Sequence, residues 1–172
     1  YLFYHHNYYS PEFDKLRSVR CDSLFFNPDG TIRPVVPTLR GVGITSARNR
    51  IEIDRYHHIS HGAYIKLMDE SKPFEGWATV FPKKGASVDY SRVDFGTEAV
   101  GEMVIRVKSN SKAGIMVRAN GALVTSVNIP KSSTWTNLKV SVKHAPKGVN
   151  DINVTLTKGE MVEIDYIAFD TD

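Results

Sequence analysis

The 172-residue sequence is poor in cysteine, in long apolar runs and in clustered charge. Cys21 is the single cysteine, which excludes an intrachain disulfide and a cysteine-rich metal site. No apolar run approaches the roughly 18 residues that a membrane-spanning helix needs. The 22 Lys and Arg residues are interspersed with 19 Asp and Glu residues. Because a nucleic-acid-binding surface concentrates its basic residues, neither a nucleic acid nor a membrane is expected as a partner.

Helical periodicity is almost absent, and alternation of apolar with polar residues takes its place. The alternation is clear over 103–108, 138–143 and 152–157, as in strands with one face in a core. Asn120-Gly121 stands between two short apolar stretches and is the strongest hairpin signal in the chain. Short strands separated by regular turns predict an all-β fold, with a jelly-roll β-sandwich over residues 49–172.

Residues 1–48 are predicted to form a separate unit. A β-rich run opens the chain at Tyr1, and Asn27-Pro28-Asp29-Gly30 predicts a turn followed by a returning strand over 31–36. So few strands cannot bury a core alone, and 37–50 is interpreted as a linker. Since Tyr1 stands inside a strand-like run, we expect the chain to be a fragment of a larger protein.

Three acidic residues and one tryptophan point to a binding function. Glu52 and Asp54 open the sandwich and Asp165 closes it, which suggests a clip between the first and last strands. Trp135 stands in the polar stretch 131–137, interpreted as a turn where an indole has little core to join. An exposed aromatic residue on a clipped β-sandwich is typical of a sugar-binding module.

From Ile51 onward the chain resembles a family 6 carbohydrate-binding module. The matching stretches, in the order of the family, are 51–56, 84–90 with 93–96, 124–130, Trp135, Gly148 with Asp151, and 164–169. The first 48 residues are similar to the end of a family 43 glycoside hydrolase. The last propeller blade of that family is resembled by 1–5 and by 17–19 with Asp22 and Leu24, and its closing hairpin by 26–32.

The resemblance to family 6 implies a structural Ca²⁺ between the first and last strands. Glu52 and Asp54 are two residues apart, so on a strand they would point to one face and could reach the same ion together with Asp165. The alternative is a solvated acidic edge without an ion.

The same resemblance implies a sugar-binding cleft with Trp135 as one wall and an aromatic residue of another loop opposite. Phe81 is the first choice for that partner and Trp77 the second; alternatively, Trp135 packs as an extension of the core. Many family members have Asn where this chain has Glu163. A carboxylate accepts hydrogen bonds from sugar hydroxyls but cannot donate, so either the specificity has changed or the cleft is degenerate.

The resemblance to family 43 assigns two residues that would act only in an intact parent. His5 (or His6) would be the metal-associated histidine near the propeller axis, and Arg17 would contact the sugar in the active-site pocket. The family is inverting, and its catalytic carboxylates lie in earlier blades. This chain alone is therefore expected to be inactive.

The leading hypothesis is non-catalytic binding of a plant cell-wall polysaccharide of the xylan or arabinoxylan type. The module would serve a β-xylosidase-like or α-L-arabinofuranosidase-like hydrolase, whose catalytic propeller would be its partner, and the parent would be secreted or periplasmic. Two alternatives remain open. The chain is the C-terminal piece of the glycosidase itself, or the sandwich is a buttress that binds no sugar.

Overall fold

The computed structural model describes residues 1–7 and 17–170, and nearly all regular structure in them is β. One short 3-10 turn, Pro73–Glu75, interrupts the strands. Within the described residues no helix is long and apolar enough to cross a membrane. The strands are β1 (Leu2–His6), β2 (Ser18–Asp22), β3 (Thr45–Ser46), β4 (Ile51–Glu52), β5 (His58–Ser60), β6 (Tyr64–Leu67), β7 (Trp77–Phe81), β8 (Ser87–Asp94), β9 (Glu102–Ser109), β10 (Ala113–Ala119), β11 (Ala122–Ile129), β12 (Ser132–Ser141), β13 (Val149–Lys158) and β14 (Val162–Asp170).

Two six-stranded sheets form a sandwich. The first has the order β11-β10-β13-β8-β3, with β5 also paired to β8, and the second has the order β12-β9-β14-β7-β6, with β4 paired to β14. The apolar sides of both sheets meet in one core, where Phe81, Phe95, Met103 and Phe169 are fully buried. The prediction of an all-β sandwich is confirmed.

The alternating segments behave as the pattern predicts. In β9 the side chains of Met103, Ile105 and Val107 are buried, while the residues between them are half-buried. Asn120 and Gly121 join β10 to β11, and both have positive φ, 46° and 84°. A two-residue turn of this kind matches the twist of the strands that it connects.

The N-terminal hairpin, β1 paired with β2, is a two-stranded antiparallel sheet of its own. Its outward apolar side chains are exposed, with Phe3 70% and Val19 69% accessible. The predicted turn at 27–30 is present, because the Gly30 amide donates to the Asn27 carbonyl. The strand expected after it is reduced to a single bridge between Phe26 and Ile32, since neither strand partner is buried against a core.

The sandwich takes up residues before the expected boundary at 49. Strand β3 (Thr45–Ser46) pairs in parallel with β8, and Ala47 is fully buried in the core. Leu39 is also part of the core cluster. The stretch interpreted as a linker is therefore, in part, a packed element of the sandwich.

A polar cluster at Asp22 connects this stretch to the N-terminal hairpin. The buried Asp22 carboxylate accepts hydrogen bonds from the Tyr4 hydroxyl and from the backbone amide (3.0 Å) and hydroxyl (2.7 Å) of Thr38. Arg40 follows Thr38 by two residues. Its Nε donates to the Ser91 carbonyl, and its guanidinium lies 4.6 Å from the centre of the Tyr90 ring. The connector is thus bonded to the hairpin on one side and to the sandwich on the other.

Candidate functional site on the outward face of the second sheet

The candidate site lies on the outward face of the second sheet. Ile105 and Val107 of β9 point into the core, so the alternating Arg106 and Lys108 point outward. Lys108 stands directly opposite Glu163 of β14. We call the group of side chains gathered there the outer patch; its members are Lys66, Arg106, Lys108, Trp135, Glu163 and Asp165.

Trp135 belongs to strand β12 and not to a turn, which corrects the interpretation of 131–137. Ser132 pairs with Ser109 and Thr136 with Val107, so three residues of β12 face a single residue of β9. Such a bulge re-aims the side chain that it contains, and it is tolerated because β12 is an edge strand. The Ser132 hydroxyl bonds to the Thr134 carbonyl within the bulge at 2.8 Å. The polar stretch is a bulged edge strand that presents a half-buried indole.

Two cations lie over the Trp135 ring. Arg106 Cζ and Lys108 Nζ are each 5.6 Å from the ring centre, within the range of a cation–π contact. Each cation also has a carboxylate partner: Arg106 Nη1 lies 3.1 Å from Asp165 Oδ2, and Lys108 Nζ lies 3.2 Å from Glu163 Oε2. The indole is therefore held by groups that are themselves fixed by ion pairs.

Glu163 is nearly buried, at 9% exposed, and two lysines share it. Lys66 Nζ donates to Oε1 at 2.7 Å, while Lys108 approaches Oε2. The carboxylate charge that would repel an acidic ligand is compensated within the patch. A sugar hydroxyl would have to share Glu163 with these lysines, and a direct contact with sugar remains a prediction.

The predicted aromatic partners of Trp135 do not share its face. Val80 of β7 stands opposite Glu163, so Val80 belongs to the outward face and its neighbour Phe81 to the core face. Phe81 is 0% exposed and part of the core cluster, and its prediction as a wall of the cleft is wrong. Trp77 has the same parity as Phe81 and lies half-buried beside the N-terminal hairpin, away from Trp135.

An exposed aromatic residue that the sequence reading did not use is Phe74. It stands in the loop between β6 and β7 with its side chain fully exposed to solvent. The same loop carries Asp69, whose pKa is lowered by hydrogen bonds from Ser71 and further by the charges of Lys72 and Lys108. Asp69 therefore lies within electrostatic range of Lys108, while a contact of Phe74 with a sugar remains a prediction.

The acidic clip combines the short strand β4 with a turn. Strand β4 ends at Glu52, and the Arg55 amide closes a turn onto the Glu52 carbonyl at 3.1 Å. Ile51 and Ile53 are both in the core, so Glu52 and Asp54 alternate with core residues as expected, although Asp54 lies in the turn and not in the strand. The backbone does join the two ends, because β4 pairs with β14 and the Ile53 amide donates to the Asp165 carbonyl.

The electrostatics at this clip combine buried carboxylates with nearby arginines, and the side chains do not form a finished metal cage. The pKa of Glu52 is raised by burial and by the negative charges of Asp165 and Asp54. Burial also raises the pKa of Asp165, against the opposing effect of Arg106 and Arg50. Over the described ranges, no three side chains of His, Cys, Asp or Glu converge tightly enough to hold a metal ion. The charges of Arg55 and Arg50 oppose this repulsion at Glu52, and Asp165 would have to turn from Arg106 to join an ion there.

His5 and Arg17, assigned to the parent active site, come together where β1 ends and β2 begins. They line a shallow groove with His6 and Asn7. The geometry is compatible with a joint role, which remains a prediction for an intact parent.

The patch cations show what sequence reasoning missed. Alternation in β9 already assigns Arg106 and Lys108 to the polar face, so the outward position of these two cations could have been predicted from the sequence. Nothing in the sequence links Lys66 to Glu163, which is 97 positions away.

Two sheets packed face to face, with the first and last strands of the sandwich joined, define a jelly-roll β-sandwich module. The family model for the carbohydrate-binding module of family 6 matches residues 58–171. This is more than half of the chain, which therefore belongs to family 6 of the carbohydrate-binding modules. No curated protein gives a significant match in sequence.

Solved structures agree with this assignment at the level of the fold. A family 6 module from Clostridium stercorarium in complex with cellobiose has a TM-score of 0.67 at 22% identity, and the match covers 76% of this chain and 98% of that one. A family 43 arabinoxylan arabinofuranohydrolase from Bacillus subtilis, in complex with cellotetraose, has a TM-score of 0.68 at 23% identity. That match covers 91% of this chain but only 34% of the hydrolase, so the chain spans about a third of its length.

A more distant neighbour bears on the metal. A family 36 carbohydrate-binding module in complex with calcium and xylotriose has a TM-score of 0.54 at 21% identity, and the match covers 70% of this chain and 98% of that one. The calcium belongs to that protein, and this likeness concerns the fold alone.

Proposed function

We propose that this chain is the non-catalytic polysaccharide-binding module of a family 43-type hydrolase, with a β-xylosidase-like or α-L-arabinofuranosidase-like parent. Xylan or arabinoxylan chains are its ligands, and residues 1–48 are the end of the parent's propeller. The observation that carries the proposal is Trp135, a half-buried indole that a bulge presents on the outward face of the second sheet. Family membership and the likeness to the Bacillus subtilis hydrolase support it.

The chemistry of the outer patch suits a neutral sugar chain. The C–H face of a pyranose ring packs on an indole, which removes apolar surface of both partners from water. Around Trp135 the patch offers cationic donors in Arg106 and Lys108 and carboxylate acceptors in Glu163 and Asp165. Both kinds of group are needed, because a sugar hydroxyl donates one hydrogen bond and accepts others. Phe74 supplies the second aromatic contact in this proposal.

Titration calorimetry with and without the indole tests this function. Wild type, Trp135→Ala and Phe74→Ala are titrated with xylohexaose, an arabinose-branched xylo-oligosaccharide and cellohexaose. We expect Trp135→Ala to weaken binding at least tenfold, because burying a large apolar side chain contributes about 1.5–3 kcal/mol. Phe26→Ala is the matched control, since Phe26 is an exposed aromatic residue beside the turn at 27–30, outside the sandwich. Equal affinities of wild type and Trp135→Ala would remove the site from the outer patch.

A structural calcium ion at the clip is the second part of the proposal. Glu52 and Asp54 would be its side-chain ligands, with Asp165 as a third, and the ion would supply positive charge that fastens the first strand of the sandwich to the last. The raised pKa of Glu52 supports it, because buried carboxylates that repel each other bind a cation favourably. Excess chelator should lower the melting temperature, and an unchanged melting curve would count against the ion.

The buttress hypothesis is kept as a second candidate because of one observation. Glu163 already has two lysine partners, so the charges of the patch are balanced without a ligand, while the buried Oε2 atom accepts no hydrogen bond. If no oligosaccharide gives heat with wild type, the sandwich serves to support its parent.

A further inference from the structure

A second concave surface lies at the junction of the N-terminal hairpin and the sandwich. We call it the junction pocket: a cavity of about 530 Å³ between β2, the connector 39–42, the turn at 54–55 and Trp77. Its size falls in the range of about 300–1,000 Å³ that is common for small-ligand sites. Walls from both units mean that the pocket exists only when the hairpin is docked.

The lining of the junction pocket is strongly cationic. Three arginines, Arg20, Arg40 and Arg55, stand in the lining, whereas Asp54 is its one acidic residue. Arg40 is fixed, because its Nε donates to the Ser91 carbonyl and its Nη2 to the Gly43 carbonyl. Arg55 is exposed at the rim and reaches solvent. The excess of positive charge selects an anionic ligand, and a planar guanidinium pairs with a carboxylate through two parallel hydrogen bonds.

Apolar groups in the same lining indicate what else the ligand carries. Trp77, which is half-buried, and the apolar residues Leu39 and Val42 line the cavity beside the arginines. An indole next to a guanidinium suits a ring with a carbon–hydrogen face and an attached carboxylate. A uronic acid has this combination, whereas an unsubstituted pentose or hexose lacks the charge.

We infer that the junction pocket binds the carboxylate of an acidic saccharide, such as a glucuronic acid branch on a xylan-type chain. The inference rests on the proposed function for the class of ligand, but it uses residues on a different part of the molecule from Trp135. In this assignment Arg55 contacts the carboxylate at the rim, Arg40 adds fixed positive charge, and Trp77 packs against the sugar ring.

Calorimetry with a matched pair of ligands tests the inference. The pair is a glucuronic acid-branched xylotetraose and the same compound with its carboxyl group reduced to an alcohol, both at constant calcium concentration. We expect wild type to bind the acidic compound about tenfold more tightly, as one charge-assisted contact at a partly exposed site supplies. Arg55→Gln should abolish this preference, and raising the salt concentration should reduce it.

Arg33→Gln is the matched control, because it removes one exposed positive charge at the hairpin turn, outside the pocket, and should keep the full preference. Trp135→Ala reports on the outer patch separately: if the patch binds the xylan backbone, both ligands weaken by the same factor. If Trp135→Ala changes nothing while Arg55→Gln removes the preference, the outer patch is refuted and the junction pocket stands. Equal affinity of wild type for the two ligands, an unaffected preference in Arg55→Gln, or no heat with the acidic compound would each overturn the inference.

Discussion

Asp22 joins the N-terminal hairpin to a connector that is itself anchored in the sandwich, and Asp22→Asn tests this connection. The carboxylate accepts three hydrogen bonds, one from Tyr4 in β1 and two from Thr38. The next residue, Leu39, belongs to the core of the sandwich. The bonds to Thr38 therefore run directly between the hairpin and a segment that cannot move independently of the core.

The size of the effect of Asp22→Asn follows from the hydrogen-bond donors that the variant places opposite one another. Asparagine keeps the size of the side chain but replaces one oxygen with an NH₂ group, which meets a donor from Tyr4 or Thr38. A hydrogen bond to a charged group contributes about 1.5–3 kcal/mol, so losing one accelerates local opening by about 10- to 150-fold. The outward side chains of the hairpin add little to this, since Phe3 and Val19 are mostly exposed.

Native-state hydrogen exchange separates this local effect from global unfolding. In Asp22→Asn the amides of β1 and β2 should exchange 10- to 150-fold faster, while those of β9 and β14 remain unchanged. Asp29→Asn is the control, because Asp29 also accepts from a backbone amide and a hydroxyl, but in an exposed turn. Unchanged exchange in the hairpin, or an equal acceleration across the sandwich, would refute the reasoning.

The pH dependence of the hairpin has a definite sign. Burial would raise the pKa of Asp22, but the hydrogen bonds from Tyr4 and Thr38 outweigh it and hold the pKa below its ordinary value. A lowered pKa contributes stability above the unfolded value of about 3.9, and this is lost as the pH falls through the lower folded value. Protection of the hairpin by Asp22 should be level above about pH 5 and decline below about pH 4. Asp22→Asn should remove that decline.

Three further predictions concern the clip, the patch and catalysis. Glu52→Gln should raise the melting temperature in chelator, because ionised Glu52 is unfavourable in the fold, and it should reduce the increase in melting temperature on adding calcium. Scanning fluorimetry in both buffers measures the two effects. An equal increase with calcium in wild type and variant would contradict the site. Glu163→Gln should lower the free energy of unfolding in urea by about 1–2 kcal/mol, a value reduced for the exposure of Lys66. Adding Lys66→Met should recover part of this loss, and no loss in the single variant would contradict the pairing. The chain alone should release no nitrophenol from aryl arabinosides or xylosides, and measurable turnover would contradict its assignment as non-catalytic.

Alternation along the chain was sufficient to predict the strands, because the core requires it. Residues such as Met103, Ile105 and Val107 must all reach one side of a sheet, and a period of two is the signature of that requirement. The turn at Asn120-Gly121 was equally readable, since few residue pairs adopt two successive positive φ angles.

The same logic failed where local geometry departs from a regular strand. Trp135 lies in a bulge, which adds residues to one strand and conceals it as a polar turn. Phe81 was assigned to a loop, although its position opposite Val162 of the last strand buries it. These errors arise because pairing register is a property of two strands, whereas a sequence pattern describes one.

The ion pairs of the outer patch decide between binding and a purely structural role. A patch whose charges are already satisfied gains little from new ionic contacts, which at first favours the buttress hypothesis. The cations over Trp135, however, also hold the indole in one orientation, so a sugar that packs on it pays less to order the ring. A structural tryptophan would instead be buried in the core, whereas Trp135 remains half-exposed on an edge strand. The arrangement therefore favours a preorganised binding surface, with Glu163 and its lysines as the frame that keeps the indole in place.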